Sequence, residues 1–273
     1  MKILAVVLAL IVGLSSAATV SAKDNGGAIA LQAVPATLHT DSAYLLMRTS
    51  IAKSGLFPIQ PVLLRIPSQQ EQDDYRVAKK LAYDAAIPEL AKKAKGSTVT
   101  PLTEFTFDYP GRPNTFVVES KKFLIDGEMR TMLIEVPPGT YLLYGITIGG
   151  GGLVTCNCLG TVSFSAPAGI ITNVGSLYAD KVHKKSPIPY LEDNLGAQMF
   201  QYGFIFGEAL VPPDGATPIP EILRALPVEP AQFEIVGQYF GVGAANINRL
   251  APIPGLLGYE HGKPVDLRAR AVR

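Results

Sequence analysis

Lys122-Phe123-Leu124-Ile125-Asp126-Gly127-Glu128-Met129-Arg130-Thr131-Met132-Leu133-Ile134-Glu135-Val136-Pro137-Pro138-Gly139-Thr140-Tyr141-Leu142-Leu143-Tyr144-Gly145-Ile146-Thr147-Ile148 is the stretch from which the fold can be read. It holds three apolar runs of strand length, rich in β-branched and aromatic residues. Asp126-Gly127 between the first two is a favoured tight-turn pair, so Lys122–Val136 predicts a β-hairpin. Pro137-Pro138-Gly139 turns the chain again, and Thr140–Ile148 predicts a further strand.

The same punctuation recurs on both sides. Upstream, Ala43–Thr49, Pro61–Ile66 and Phe116–Val118 are short apolar runs bounded by Pro, Ser or Gly, the mark of strands buried on much of their surface. Downstream, Leu159–Ser165 and Ile170–Tyr178 are joined by Ala166-Pro167-Ala168-Gly169. With Gly 26 and Pro 22 in the chain, turns dominate over long helices. One segment breaks the pattern. Ser68-Gln69-Gln70-Glu71 has the S-x-x-E spacing of a capping box, and Tyr75, Ala78, Ala82 and Ala85 follow near the helical period, as do Val77, Leu81 and Ala85. A helix is predicted over about 68–95, kinked or restarted at Pro88 and stopped at Gly96. It reads as a surface helix inserted between strands, with partner binding as its functional alternative.

Because helices do not alternate with strands, a parallel α/β arrangement is disfavoured. The expected fold is mainly β, an antiparallel β-sandwich with one inserted α-helix and a Pro-rich C-terminal extension. The expected organisation is a signal peptide over 1–22, a sandwich over 23–185, and an extension over 186–273 packed on the same domain. Within that last part, Lys184–Pro189 reads as a linker, Phe200–Val211 as aromatic-rich strand, Ile219–Leu226 as a short helix, and Ala231–Phe240 as a strand or helix start. Ile253–Tyr259 is apolar enough to pack on the body. The start, from Lys23 to Ala36, and the end, Arg268–Arg273, are expected to be loosely held.

The opening residues have the three parts of an export signal: Met1-Lys2, the apolar run Ile3–Leu14, and a small-residue exit ending Val20-Ser21-Ala22. Cleavage is expected after Ala22, with Ala17 and Ala18 as close competitors. The apolar run is shorter than the roughly 20 residues of a membrane span, so no transmembrane anchor is expected in the mature form. Removing Lys2 from 24 Lys+Arg leaves 23 against 23 Asp+Glu, a formally neutral chain. That balance supplies no field for nucleic acid or an anionic membrane surface. Hydrophobic residues at 48% and charged ones at 17% describe a packed domain.

Cys156-Asn157-Cys158 is the sharpest chemical feature and the only cysteine pair. In an oxidising compartment the thiols can close a small, strained disulfide ring with a redox role. Two thiolates can also hold Cu(I) or Zn(II), although His183 is the closest further ligand in sequence. A local staple or a buried pair is the plainer account. His39, His183 and His261 are scattered, and no H-E-x-x-H or G-x-S-x-G pattern occurs, Ser176 lacking the second glycine. Gly149–Gly152 lacks phosphate-loop spacing and reads as a flexible loop. Among carboxylates, Glu71, Asp73 and Asp74 read as the solvated first turns of the helix, Glu192-Asp193 as a loop, and Glu208 as a neighbour of an aromatic strand; glycosidase chemistry needs two brought together. Phe200, Tyr202, Phe204 and Phe206 alternate at period 2, fitting a buried strand face or a sugar-stacking platform. No cofactor is expected, and no catalytic residue is assigned.

Val136-Pro137-Pro138-Gly139-Thr140-Tyr141-Leu142-Leu143, Val162-Ser163-Phe164 and Ala168-Gly169-Ile170-Ile171-Thr172-Asn173-Val174-Gly175 together resemble the P-G-x-Y … F … A-G … G pattern of PEGA-like β-sandwich domains in bacterial exported proteins. The resemblance spans about Leu133 to Ala179 and consists of turn chemistry. It implies an envelope protein with a sandwich core and assigns no catalytic residues. The expectation is therefore a periplasmic or secreted, non-catalytic protein that binds a protein, a glycan or a surface. A thiol–disulfide or metal-binding protein using Cys156 and Cys158, and an unrecognised hydrolase, are the alternatives.

Overall fold

The computed structural model describes residues 28–50, 53–54, 57–111, 114–118, 124–126, 129–148, 153–181, 206–215, 219–239 and 246–270. The expected export signal and its expected cleavage after Ala22, Gly149–Gly152, His183, the expected linker, Glu192-Asp193 and the aromatic positions Phe200, Tyr202 and Phe204 lie outside the described residues. In chain order the first elements are β1 (Ile29–Leu31), β2 (Ala43–Ser50), β3 (Lys53–Ser54), β4 (Phe57–Arg65), α1 (Gln69–Ala94), β5 (Thr115–Val117), β6 (Leu124–Asp126), β7 (Met129–Val136) and β8 (Gly139–Ile148). Next come β9 (Leu153–Cys156), β10 (Thr161–Ala166), β11 (Ile171–Lys181), β12 (Phe206–Val211), β13 (Val228–Pro230), β14 (Phe233–Val236), β15 (Asn246–Ile247), β16 (Leu257–Glu260) and β17 (Lys263–Asp266).

The strands form two large sheets, the expected sandwich. Sheet one runs β1-β7-β2-β11-β12, with β6 also on β7 and β13 on β11. Sheet two runs β14-β10-β8-β4-β3, with β9 on β8, β15 on β9 and β5 on β4. The predicted hairpin is β6–β7, with Asp126 opposite Met129. Pro137-Pro138 does something different: β7 belongs to sheet one and β8 to sheet two, so this turn is an arch between layers. The Tyr141 hydroxyl donates to the Pro137 carbonyl at 2.5 Å and ties the arch to the strand it opens.

Most pairings are antiparallel, but β2–β11, β11–β13 and β9–β15 are parallel. Parallel neighbours need a crossover rather than a tight turn, and the chain between β2 and β11 makes one by passing through sheet two, with β6 and β7 laid on sheet one on the way. Gly175, at φ +88, marks a bulge in β11. A Cβ there would lie 2.3 Å from the Val211 carbonyl oxygen, so only glycine lets β12 pass this close. At Gly145 a Cβ would lie 1.9 Å from the Thr155 oxygen, which fixes glycine where β9 pairs with β8.

Between the sheets, Leu45, Met47, Met132, Ile134, Val136, Val174 and Leu177 meet Leu63, Phe116, Tyr141, Leu143, Val162 and Phe164. Burying each such side chain is worth about 1.5–3 kcal/mol. Phe116, Tyr141, Phe164 and Phe233 run through this core as a chain of rings 5.9–6.1 Å apart. The outer faces are covered as well. Tyr44, Leu46, Leu133 and Ile171 on sheet one pack under Leu223, Ile219, Leu226 and Val228, and Val62, Leu64, Leu142 and Tyr144 on sheet two pack with Val236 and Tyr239. Strands buried on both faces read as continuous apolar runs, which is what the sequence displays.

The C-terminal part is woven in more deeply than an extension lying on a finished domain. It contributes β12 and β13 to sheet one and β14 and β15 to sheet two, because prolines at strand ends and edges do not interrupt a ladder. The helix expected over Ile219–Leu226 shrinks to one 3-10 turn at Glu221–Leu223. Neither expected loose end is fully loose. Ile29–Leu31 pairs with β7, and Arg268 donates to the Phe233 carbonyl at 2.8 Å while pairing with Asp266.

Candidate functional site

The 26-residue helix α1 has no buried residue. At ~1.5 Å per residue it is about 39 Å long. It starts as the capping box predicted: the Ser68 hydroxyl accepts from the Glu71 amide at 3.2 Å, and the Glu71 carboxylate accepts from the Ser68 amide at 2.8 Å. It ends with Lys95 in the left-handed conformation (φ 46) and Gly96 at φ 90. Pro88 neither breaks nor restarts it. Pro88 and Asp84 both lie on the exposed side, so the carbonyl that proline leaves unbonded is open to solvent.

A return segment over residues 97–111 runs back along this helix and makes it half of an arm. Phe105, Phe107 and Tyr109 alternate along the return and meet the helix ring by ring. Tyr83 lies 5.3 Å from Phe105, and Tyr75 lies 5.7 Å from Phe107 and 5.1 Å from Tyr109. The Tyr83 hydroxyl donates to the Thr100 carbonyl at 2.8 Å, and Lys79 Nζ to the Thr103 carbonyl at 3.3 Å. Opposite this zipper, Val77 and Leu81 are 61% and 65% exposed, one helical turn apart on the outer face.

Where the arm leaves the sandwich there is a cleft of about 520 Å³, within the ~300–1,000 Å³ range of ligand pockets. Its floor is Arg65, the last residue of β4, only 5% exposed. Nη1 and Nη2 of Arg65 donate to the two Glu71 oxygens at 2.9 and 2.6 Å. Arg65 holds the Glu71 carboxyl down at about 2, assisted by the Ser68 amide. The Arg65 Nε–H has no hydrogen-bond partner among the described residues. Gln72, Tyr75, Arg76, Tyr109 and Asn114 complete the walls.

Cys156 and Cys158 are joined by a disulfide, so neither sulfur is a thiolate able to take a metal. Both are buried, at 0% and 2% exposure, against Val62, Leu64, Leu142 and Tyr144. The ring is pinned by its backbone. The Asn157 amide donates to the Tyr144 carbonyl at 2.7 Å, Asn248 N to the Cys156 carbonyl at 2.7 Å, and Tyr239 N to the Cys158 carbonyl at 2.8 Å. With the sulfurs directed outward from sheet two, the intervening Asn157 side chain points the other way. Its Nδ2 donates to Glu208 Oε2 on β12 at 2.8 Å, linking the two sheets.

Glu208 is wholly buried, and burial pushes its carboxyl up to about 8, with the Asn157 hydrogen bond as a smaller opposing effect. Glu208 Oε1 and Asn157 Oδ1 have no partner among the described residues. A neutral acid is the form this site favours. The pair was missed in the sequence, although one signal was present: Glu208 is the lone charge in the apolar run Phe206–Val211.

The remaining candidates stay apart. His39 is exposed and bonded through Nδ1 to Glu135 at 2.9 Å, which raises its pKa. His261 occupies a turn at φ 47. Asp73 pairs with Arg76, and Asp74 accepts from Gln70 at 2.8 Å, so the helix acids are surface partners as expected, while Glu71 anchors Arg65. Ser176 is buried within β11. Among the described residues no cluster of metal-ligating side chains occurs, and no helix is long and apolar enough to cross a membrane. No family model, curated protein or solved structure matches this chain.

Proposed function

We propose that this chain is an exported, non-catalytic protein of the bacterial envelope that binds a protein, glycan or surface partner through α1 and its return segment. One observation carries the reading: a 26-residue helix without a buried residue, zipped along its length to its own return and tied to the sandwich at its first turn by Arg65–Glu71. The sandwich has no need of it, since β4 and β5 are antiparallel neighbours, Leu64 opposite Thr115, that a tight turn could join. An element this long that adds nothing to the core is more economically explained by an external partner than by folding. The export signal and the resemblance to exported P-G-x-Y sandwich domains support the compartment. The alternative thiol–disulfide role is disfavoured by burial, because exchange requires a thiolate to reach a sulfur.

The test replaces residues 66–113 with Asn-Gly, together with Arg65→Thr because Arg65 loses its ion partner. Both mature chains are then mixed with isolated envelope fractions and washed. Retention of the intact chain and loss of the armless one, with unfolding still cooperative, is the expected result. Equal retention of the two chains refutes the reading.

A further inference from the structure

We infer that the cleft at the base of the arm is a binding site for a neutral mono- or disaccharide; this rests on the reading of the arm as the binding element. Three features point to that ligand class. First, the walls include two tyrosine rings set nearly at right angles, Tyr75 and Tyr109, 86° between planes and 5.1 Å between centroids. Tyr75 is 40% exposed, so an aromatic body is left open with a polar tip beside it, the arrangement that receives the apolar face of a sugar ring.

Second, hydrogen-bonding groups of both kinds line the cleft. Arg65 and its Nε–H are covered from solvent, so the donors that face a ligand are those of the wall residues Arg76 and Asn114. Glu71 accepts from Arg65 twice and from Ser68 once, and a carboxylate offers about four acceptor positions. Wall donors and the Glu71 acceptor lining one cleft match the paired hydroxyls of a sugar. Gln72 donates its amide nitrogen to the Pro67 carbonyl at 3.1 Å, which leaves its oxygen as a further acceptor.

Third, the charges cancel. Arg65 is paired with Glu71, and Arg76 with Asp73. A phosphate, sulfate or carboxylate ligand would find both guanidiniums already paired and would meet the Glu71 carboxylate. A neutral polyhydroxyl compound carries no such penalty and fills hydrogen-bonding positions that an apolar ligand would leave empty. The floor is held in place by the two-pronged Arg65–Glu71 pair at 2.9 and 2.6 Å.

The experiment uses the mature full chain, labelled for amide NMR, titrated separately with maltose, cellobiose and chitobiose, and with inorganic phosphate as the anionic probe. The chain has no tryptophan, so tyrosine emission provides a second readout. Expected are saturable shifts at Gln72, Arg76 and Asn114 with at least one disaccharide, weakened about tenfold by Tyr75→Ala. Gln72→Ala, on the exposed helix surface, should weaken binding with the helical circular dichroism unchanged. Ile222→Ala, exposed and off the arm, should leave it unaltered. The inference is overturned if no disaccharide shifts these amides, if phosphate shifts them more strongly, or if Gln72→Ala and Tyr75→Ala both bind like the parent. If the sugars fail while the armless chain still loses envelope retention, the saccharide falls and the arm's role stands.

Discussion

Replacing Glu208 with glutamine should stabilise the protein at neutral pH and leave it nearly unchanged in acid. The carboxyl is fully buried and titrates at about 8, against 4.5 for an unperturbed glutamate. Below pH 4.5 both the native and the unfolded chain hold the proton, so the group favours neither. Between pH 4.5 and about 8 the unfolded chain has released it while the native chain keeps it. Stability therefore falls with rising pH across that window, at about 1.4 kcal/mol per pH unit. The accumulated cost is about 3 kcal/mol at pH 7 and about 5 kcal/mol where the native acid itself ionises. Glutamine keeps an oxygen for the Asn157 amide and has no charge to bury. In a domain of this size about 3 kcal/mol corresponds to roughly 6–12 °C in Tm. Thermal unfolding followed by circular dichroism at pH 4 and pH 7, for parent and Glu208→Gln, gives the comparison directly. A Tm difference equal at the two pH values, or a variant less stable than the parent at pH 7, would refute the reasoning.

The Arg65–Glu71 pair should act in the opposite direction, present above pH 4.5 and lost as pH falls toward about 2. Glu71→Ala leaves a buried guanidinium unpaired and should cost about 3 kcal/mol in urea unfolding, whereas Asp73→Ala, breaking an exposed pair, should cost under about 1 kcal/mol. Gly145→Ala, whose Cβ would sit 1.9 Å from the Thr155 oxygen, should force β8 and β9 apart and lower stability by about 3 kcal/mol or more, read from the urea midpoint. Cys156→Ala with Cys158→Ala opens only a very short loop and should cost about 2 kcal/mol. With both sulfurs buried, dithiothreitol should reduce the native chain far more slowly than the urea-unfolded chain, as scored by thiol alkylation and mass.

Local chemistry made much of this fold legible. Apolar runs bounded by Gly and Pro marked β2, β4, β5, β8, β10 and β11, and Asp126-Gly127 marked the β6–β7 hairpin, because strand length and turn type depend on adjacent residues. The helix limits were legible for the same reason, since Ser68 and Glu71 satisfy each other's amides within one turn. The helix through Pro88 departs from its local signal because that position faces solvent. What Phe105, Phe107 and Tyr109 pack against is decided by α1, whose rings they meet across the arm.

Strand existence, the helix caps and the near balance of 24 Lys+Arg against 23 Asp+Glu follow from the sequence alone, since each rests on residues near one another or on a simple count. Tertiary structure decided that Pro137-Pro138 is an arch between sheets and not a hairpin, and that Tyr44 lies opposite Ile171 in a parallel pair. It also decided that the Cys156–Cys158 ring is interior, that Asn157 reaches Glu208 across the sandwich, and that Arg65, Glu71, Tyr75 and Tyr109 surround one cleft. These are choices of partner between distant segments. They are set by which side chains fill a common interior, and a residue's own neighbours in sequence carry little of that information.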